Sequence, residues 1–211
     1  MMRIIEEIYS SREWRIHELE NLKLIAMKHF YKEDVNLAIQ YYRMCIPYIY
    51  AHWEGYIVET FRLLIEYLNG LDLEKQKVIP ELQTFAVLKN LRPLAGKQGF
   101  EQCQQFVVQF GNDYKRPLLI SYDNFSTNSN LNYKQLTTIF LWFGLDVQLD
   151  SYKSNINSLV NQRNRIAHGE NSINISFEAI SKYIEDINAI FDVLLLAIEN
   201  YVSDERYLVI S

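Results

Sequence analysis

The sequence predicts an all-α fold, an up-and-down helical bundle with a smaller helical insertion. Three observations predict it. Apolar residues recur at helical spacing through nearly every long segment, and helix-stopping Gly or Asn-Gly signals fall between those segments. Gly and Pro are scarce, seven and four in 211 residues, which argues against a turn-rich sandwich or barrel. The 49% hydrophobic and 22% charged fractions are those of a globular chain, long enough to bury a core without staples.

The elements follow in order. Arg3 to Phe30 reads as a first helix, with Ile4, Ile5, Ile8, Trp14, Leu22, Ile25 and Met27 set among Glu, Lys and Arg. Asp34 is placed to cap a second helix from Val35 to Leu68, with Pro47 expected to kink it and Asn69-Gly70 to end it. Pro80 opens a segment reaching Leu91. Gly96 and Gly99 break the chain before Phe100 to Phe110, and Gly111 is expected to end that piece. Residues 121–132, SYDNFSTNSNLN, read as a loop. A helix follows from Tyr133 to Phe143, stopped by Gly144. Asp150 or Ser151 is expected to cap the next, which runs to Ala167 and stops at Gly169. The alternating Ile173–Ile175 stretch suggests a short extended link, and Ser176 caps a last helix from Phe177 to about Val202. The chain shows no internal repeat; residues 1–211 are read as one domain, with 71–130 as the inserted helical subregion.

The formal charge is −5, which argues against coating nucleic acid through bulk positive charge. Two islands are nevertheless basic. Residues 75–116, with Lys89, Arg92, Lys97, Lys115 and Arg116 among them, carry 7 Lys/Arg against 3 Asp/Glu, and residues 151–169 carry 3 against none. Cys45 and Cys103 stand far apart without C-x-x-C spacing, so two reduced thiols are expected and no Cys/His metal cluster or other cofactor. Met1 to Ile8 lacks the apolar core of a signal peptide, and the apolar run Ala189 to Ile198 is interrupted by Asp192 and too short to span a bilayer. A soluble, cytoplasmic protein without a membrane role is the expectation.

The stretch that carries chemistry is Asn161-Gln162-Arg163-Asn164-Arg165-Ile166-Ala167-His168-Gly169, at the end of a helix. Asn164 and His168 share a face at i and i+4, whereas Arg163 and His168 lie about 140° apart on an ideal helix, a gap that a long Arg side chain spans where the helix frays. Spacing alone also fits a cationic C-cap, with His and Arg complementing the helix dipole and Gly169 as the stop. Glu54 is the lone charged side chain between Arg43 and Glu59, in an otherwise apolar and aromatic run. A buried carboxylate needs a partner, and Arg163 is the natural one if the two helices are neighbours. His52 and the nearby tyrosines read as packing groups with satisfied polar tips.

Arg163-Asn164-Arg165-Ile166-Ala167-His168-Gly169 resembles the Arg-x(4–6)-His signature of the HEPN superfamily, helical bundles that include metal-independent endoribonucleases. The polar Asn164 after the Arg fits that pattern. Ala51-His52-Trp53-Glu54-Gly55 resembles the A-x-W-E-G run of stand-alone bacterial HEPN proteins of about this length. The resemblance implies catalytic roles for Arg163, Asn164 and His168, a supporting role for Glu54 and a composite site in a homodimer. Lys153 and Arg165 are the cations expected to contact RNA. A toxin or defence effector is the implied setting, with an antitoxin or other regulator as a possible partner. The alternative is a non-catalytic HEPN module that binds nucleotide or RNA or serves in assembly. In a related toxin system the tyrosine two residues after the His is modified by a nucleotidyltransferase antitoxin; here that position is Glu170, which argues against the same neutralisation.

The residue types suit the chemistry. Attack of a 2′-hydroxyl on its neighbouring phosphate needs a base for the hydroxyl, an acid for the leaving 5′-oxygen and charge compensation at phosphorus. Histidine serves the proton transfers near neutral pH, and the planar, permanently charged guanidinium serves the phosphate. One chain supplies one such His, and a C2 dimer supplies two. P-loop, dinucleotide-binding, zincin and nucleophile-elbow motifs are absent, and no basic recognition helix lies outside residues 151–169.

Overall fold

A computed structural model of the chain describes residues 2–30, 34–91, 99–127 and 129–209. Among them are seven α-helices and no β-strand: α1 (Met2–Phe30), α2 (Val35–Gly70), α3 (Pro80–Leu91), α4 (Phe100–Tyr114), α5 (Tyr133–Phe143), α6 (Lys153–Ala167) and α7 (Phe177–Ser203). The all-α expectation holds.

α2 is the central column. Its middle is apolar on most sides and buries most of its circumference, leaving one narrow exposed stripe through Met44, Tyr48, Ala51 and Glu59. It packs against α1, α6 and α7, while α5 packs on α6 and α3. Trp53, Tyr56 and Phe61 of α2 are fully buried, as are Phe143 of α5 and Phe191 and Tyr201 of α7. The Phe61 ring lies 4.8 Å from that of Phe143, and the Tyr56 ring 4.1 Å from that of Phe191, so aromatic contacts tie α2 to both sides of the core.

The caps explain the helix starts. Asp34, Asn132 and Ser176 accept hydrogen bonds from the backbone N–H of Leu37, Gln135 and Ala179, as the sequence suggests for Asp34 and Ser176. α2 runs unbroken through Pro47 to Gly70. In the link before α7, Ile173 and Ile175 are buried and Asn174 is exposed, as their alternation implies.

Two local expectations are corrected. Asp150 does not cap α6: it accepts a hydrogen bond from the Tyr133 hydroxyl (2.9 Å) and opens a 3₁₀ turn, Asp150–Tyr152, ahead of Lys153. Gly111 does not end its helix, which continues to Tyr114; a Cβ on Gly111 would meet open space. Gly111→Ala is therefore expected to stabilise the protein by about 0.5–1 kcal/mol in urea unfolding. Destabilisation would place the helix end back at 111.

Cys45 and Cys103 are free thiols, the first buried and the second exposed. No helix among the described residues is long and apolar enough to cross a membrane.

Candidate functional site

The two motif stretches meet through a third element, the loop before α5. On α2, Tyr50, Trp53 and Glu54 stand at i, i+3 and i+4 and share a face. All three hold the loop. The Tyr50 hydroxyl accepts from the Leu131 N–H (2.8 Å), and Trp53 Nε1 donates to the Leu131 carbonyl (2.9 Å). Thr127 Oγ1 donates to Glu54 Oε1 (2.6 Å). Both backbone polar groups of the buried Leu131 are thus satisfied by α2 side chains, which removes the cost of burying them.

The same loop meets α6 on its other side. Arg163 Nη2 donates to the Ser129 carbonyl, and Asn164 Nδ2 donates to Asn130 Oδ1 (3.1 Å). The Arg163 guanidinium lies over the Tyr50 ring, 3.9 Å from its centroid, in a cation–π contact. Burial pushes the Tyr50 phenol pKa up, with Glu54 adding to the rise and the Leu131 N–H and Arg163 opposing it.

The expected Glu54–Arg163 ion pair does not form. Thr127 takes the Glu54 carboxylate, and Arg163 turns to the Tyr50 ring and the Ser129 carbonyl. Two helices that are neighbours admit a direct pair only where nothing polar sits between them, and here the loop does.

The glycine of the same run serves the opposite side of α2. A Cβ on Gly55 would come within 3.3 Å of Arg15 Nη2, whose buried guanidinium pairs with Glu59 at 2.8 Å. His52 is buried between the rings of Trp14 and Tyr48, at 5.4 and 4.6 Å, with Nε2 3.2 Å from Glu18. Burial lowers its pKa against the pull of Glu18. It packs as its setting in the sequence suggests, but its polar tips are not both satisfied: Nδ1 is buried without a hydrogen-bond partner among the described residues.

His168 sits on the turn that ends α6. Its N–H donates to the Asn164 carbonyl (3.0 Å), and Gly169 follows at φ +81°, in the left-handed region open to glycine. The N–H groups of Gly169 and Glu170 donate to the carbonyls of Ile166 and Arg165, both at 3.0 Å, which completes a Schellman motif. The hydrophobic contact usual in that motif is replaced by an ion pair: Arg165 Nε donates to Glu170 Oε2 at 2.7 Å, and Nη2 to Oε1. Arg43 of α2 donates to the carbonyls of Glu170 and Asn171, pinning the turn from the other side. The His168 imidazole is exposed, and no hydrogen bond among the described residues engages it.

A family model described as RiboL-PSP-HEPN matches residues 10–200, a span that includes both motifs and the loop that joins them. The chain belongs to the RiboL-PSP-HEPN family. HEPN domains are all-α, are often ribonucleases, and commonly bind RNA and dimerise, so membership gives this chain a nuclease or RNA-related role in general terms. No curated protein and no solved structure matches the chain.

The remaining expected residues of the HEPN chain divide in two. Arg165 is engaged with Glu170, and this hydrogen-bonded pairing holds the Glu170 carboxyl at about 2, well below the usual carboxylate range. A depressed folded pKa means that the pair contributes fully above the unfolded carboxylate range and is lost only as pH falls toward 2. The turn therefore stays clamped at neutral and mildly acidic pH. Lys153 stands at the opposite end of α6, about 21 Å along the axis from Ala167, with Nζ 5.5 Å from the Tyr133 ring centroid. In the 75–116 island, Lys75 is buried and donates to the Asp113 carbonyl (2.6 Å), while Gly96, Arg92, Lys97 and the side chain of Lys89 lie outside the described residues.

Five side chains that shape the site went unassigned in the sequence: Tyr50, Thr127, Asn130, Arg43 and Glu170. The Asn- and Ser-rich composition of residues 121–132 marks a loop but not what it holds. On the ribonuclease reading proposed below, Glu170→Ala is expected to lower RNA cleavage while hardly moving the melting temperature, because it unclamps an exposed turn without opening the core. A variant cleaving at the wild-type rate would show that the clamp does not position His168.

Proposed function

We propose that the chain is a metal-independent endoribonuclease, acting as a toxin or defence effector, whose active site is shared by two subunits. The observation that supports this reading is a division of labour along the last turns of α6: Arg163 and Asn164 are oriented by the loop, while the His168 imidazole, four residues on from Asn164, is exposed and has no hydrogen bond among the described residues. In the proposed reaction one His168 takes the proton of a 2′-hydroxyl as that oxygen forms its bond to phosphorus. The partner's copy of His168 gives a proton to the 5′-oxygen as its bond to phosphorus breaks, leaving a 2′,3′-cyclic phosphate and a 5′-hydroxyl. Arg163 compensates the charge gathering on the non-bridging oxygens, and Asn164 donates to the phosphate. Glu54 is a positioning residue that acts through Thr127 and the loop. An open groove beside the turn supports docking of a second copy there: half of its lining is apolar (Ile39, Met44, Pro47 and Ile166) and half polar, and Met44 is 71% exposed.

One observation favours the second reading, a non-catalytic RNA-binding or assembly module: two of the three motif side chains already have structural partners within the chain. Cleavage of single-stranded RNA in excess EDTA, followed over a dilution series alongside sedimentation, separates the two. A catalytic dimer cleaves without metal and loses activity per chain as it dissociates. A dimer that binds RNA but never cuts it overturns the catalytic reading, and undiminished activity in a monomer overturns the shared site.

A further inference from the structure

We infer that the asparagine-lined groove between α5 and α6 is the channel along which single-stranded RNA reaches His168. The inference rests on the ribonuclease reading and adds to it the path and strandedness of the substrate.

One wall is a polar stripe on α6. Lys153, Asn157, Asn161 and Asn164 succeed one another at spacings of four, four and three, and His168 follows at four, so the stripe runs along one helix face into the candidate site. The other wall is the start of α5 and the loop before it, with Asn130, Tyr133 and Lys134. The groove encloses about 690 Å³, within the range of small-ligand sites.

Its chemistry fits a nucleic-acid strand. Two lysines and no carboxylate line it, in a chain whose formal charge is −5. The eleven-residue α5 begins at this wall, and its first N–H groups add partial positive charge. One of these, the Tyr133 N–H, donates to Asn157 Oδ1 (3.1 Å), which leaves the Asn157 amide N–H₂ group available. The Tyr133 hydroxyl is anchored on Asp150, which fixes the ring at the groove wall below Lys153. Asn161 is exposed and makes no hydrogen bond among the described residues, so its amide offers a donor and an acceptor together. That pairing matches the edges of unpaired bases, which a duplex would hide in base pairs and in a deep, narrow major groove. Lysines for phosphates, an aromatic ring and asparagine amides for bases make a single strand the occupant that uses all the groups present.

The test separates this channel from catalysis. Binding of a short fluorescein-labelled single-stranded RNA of mixed sequence is measured by anisotropy in the His168→Ala background, where the RNA is not cut. Lys134→Glu/Lys153→Glu, both at exposed positions, is expected to weaken binding more than about 10-fold and to flatten the slope of log K against log salt by roughly 1.4, two single-strand phosphate contacts. Asn161→Ala is expected to change the preference among homopolymer RNAs without changing the salt slope. Unaltered binding by the charge-reversed protein overturns the channel, even if the wild type cleaves RNA. Equal competition by a duplex of the same sequence overturns its single-strand assignment. Lysine-dependent binding in a protein that never cleaves supports the channel while the catalytic reading fails.

Discussion

His168→Ala is expected to lower RNA cleavage by about 10²–10⁴-fold, the range lost with a positioned proton-transfer group. The loss should fall on kcat, with KM and melting temperature near wild type. The structural reason is that the imidazole is exposed and unbonded, so removing it opens no cavity and frees no buried group. Arg163→Ala is a less clean probe of chemistry. It removes a phosphate-compensating charge but also the Tyr50 contact and the tether to Ser129, so activity and stability should fall together. Thermal melts beside single-turnover kinetics check both. A His168→Ala protein with wild-type kcat removes the histidine from the mechanism.

The second large effect is expected at a residue that touches no substrate. Trp53 is fully buried at the centre of α2, and Trp53→Ala should cost about 3–5 kcal/mol in urea unfolding through the cavity it leaves. Trp53→Phe is more informative. It keeps most of the packing but leaves the buried Leu131 carbonyl without its donor, at a cost of about 1–3 kcal/mol. The loop it releases also carries Ser129 and Asn130, which orient Arg163 and Asn164. RNA cleavage should therefore drop in protein that is still folded. A Trp53→Phe variant with the expected stability loss and full activity would show that the loop does not position the α6 residues.

The helices were legible because their causes are local. The Asp34 and Ser176 caps, the Gly144 and Gly169 stops and the apolar spacing all act within a few residues of the element they define. Gly111 misled for the same reason: glycine is a good stop, but only where the next residues fail to continue the helix, and here Asn112 to Tyr114 continue it. Asp150 misled because a tertiary partner, the Tyr133 hydroxyl, claimed its carboxylate. At the site, both motifs are visible in the sequence, but their connection is not. Ser129 and Arg163 are 34 residues apart, and Leu131 and Trp53 are 78 apart. Composition marks the intervening segment as a loop and says nothing of its partners. Pairing Glu54 directly with Arg163 assumed two bodies where the fold uses three.

The charge pattern acquires a location. The cations of residues 151–169 do not act as one patch: Arg165 clamps the turn, Arg163 is held by the loop and the Tyr50 ring, and Lys153 stands at the far mouth of the groove. An acidic chain with a groove that carries two lysines and no carboxylate disfavours sequence-blind coating and leaves a narrow route for a single strand.

The most direct test of the central claim is the end chemistry of RNA cut by the purified protein in excess EDTA, wild type beside His168→Ala. Wild-type fragments should carry 2′,3′-cyclic phosphate and 5′-hydroxyl ends, and the variant should yield almost none. Fragments ending in 5′-phosphate, or equal yields from the variant, would contradict an acid–base site built on His168.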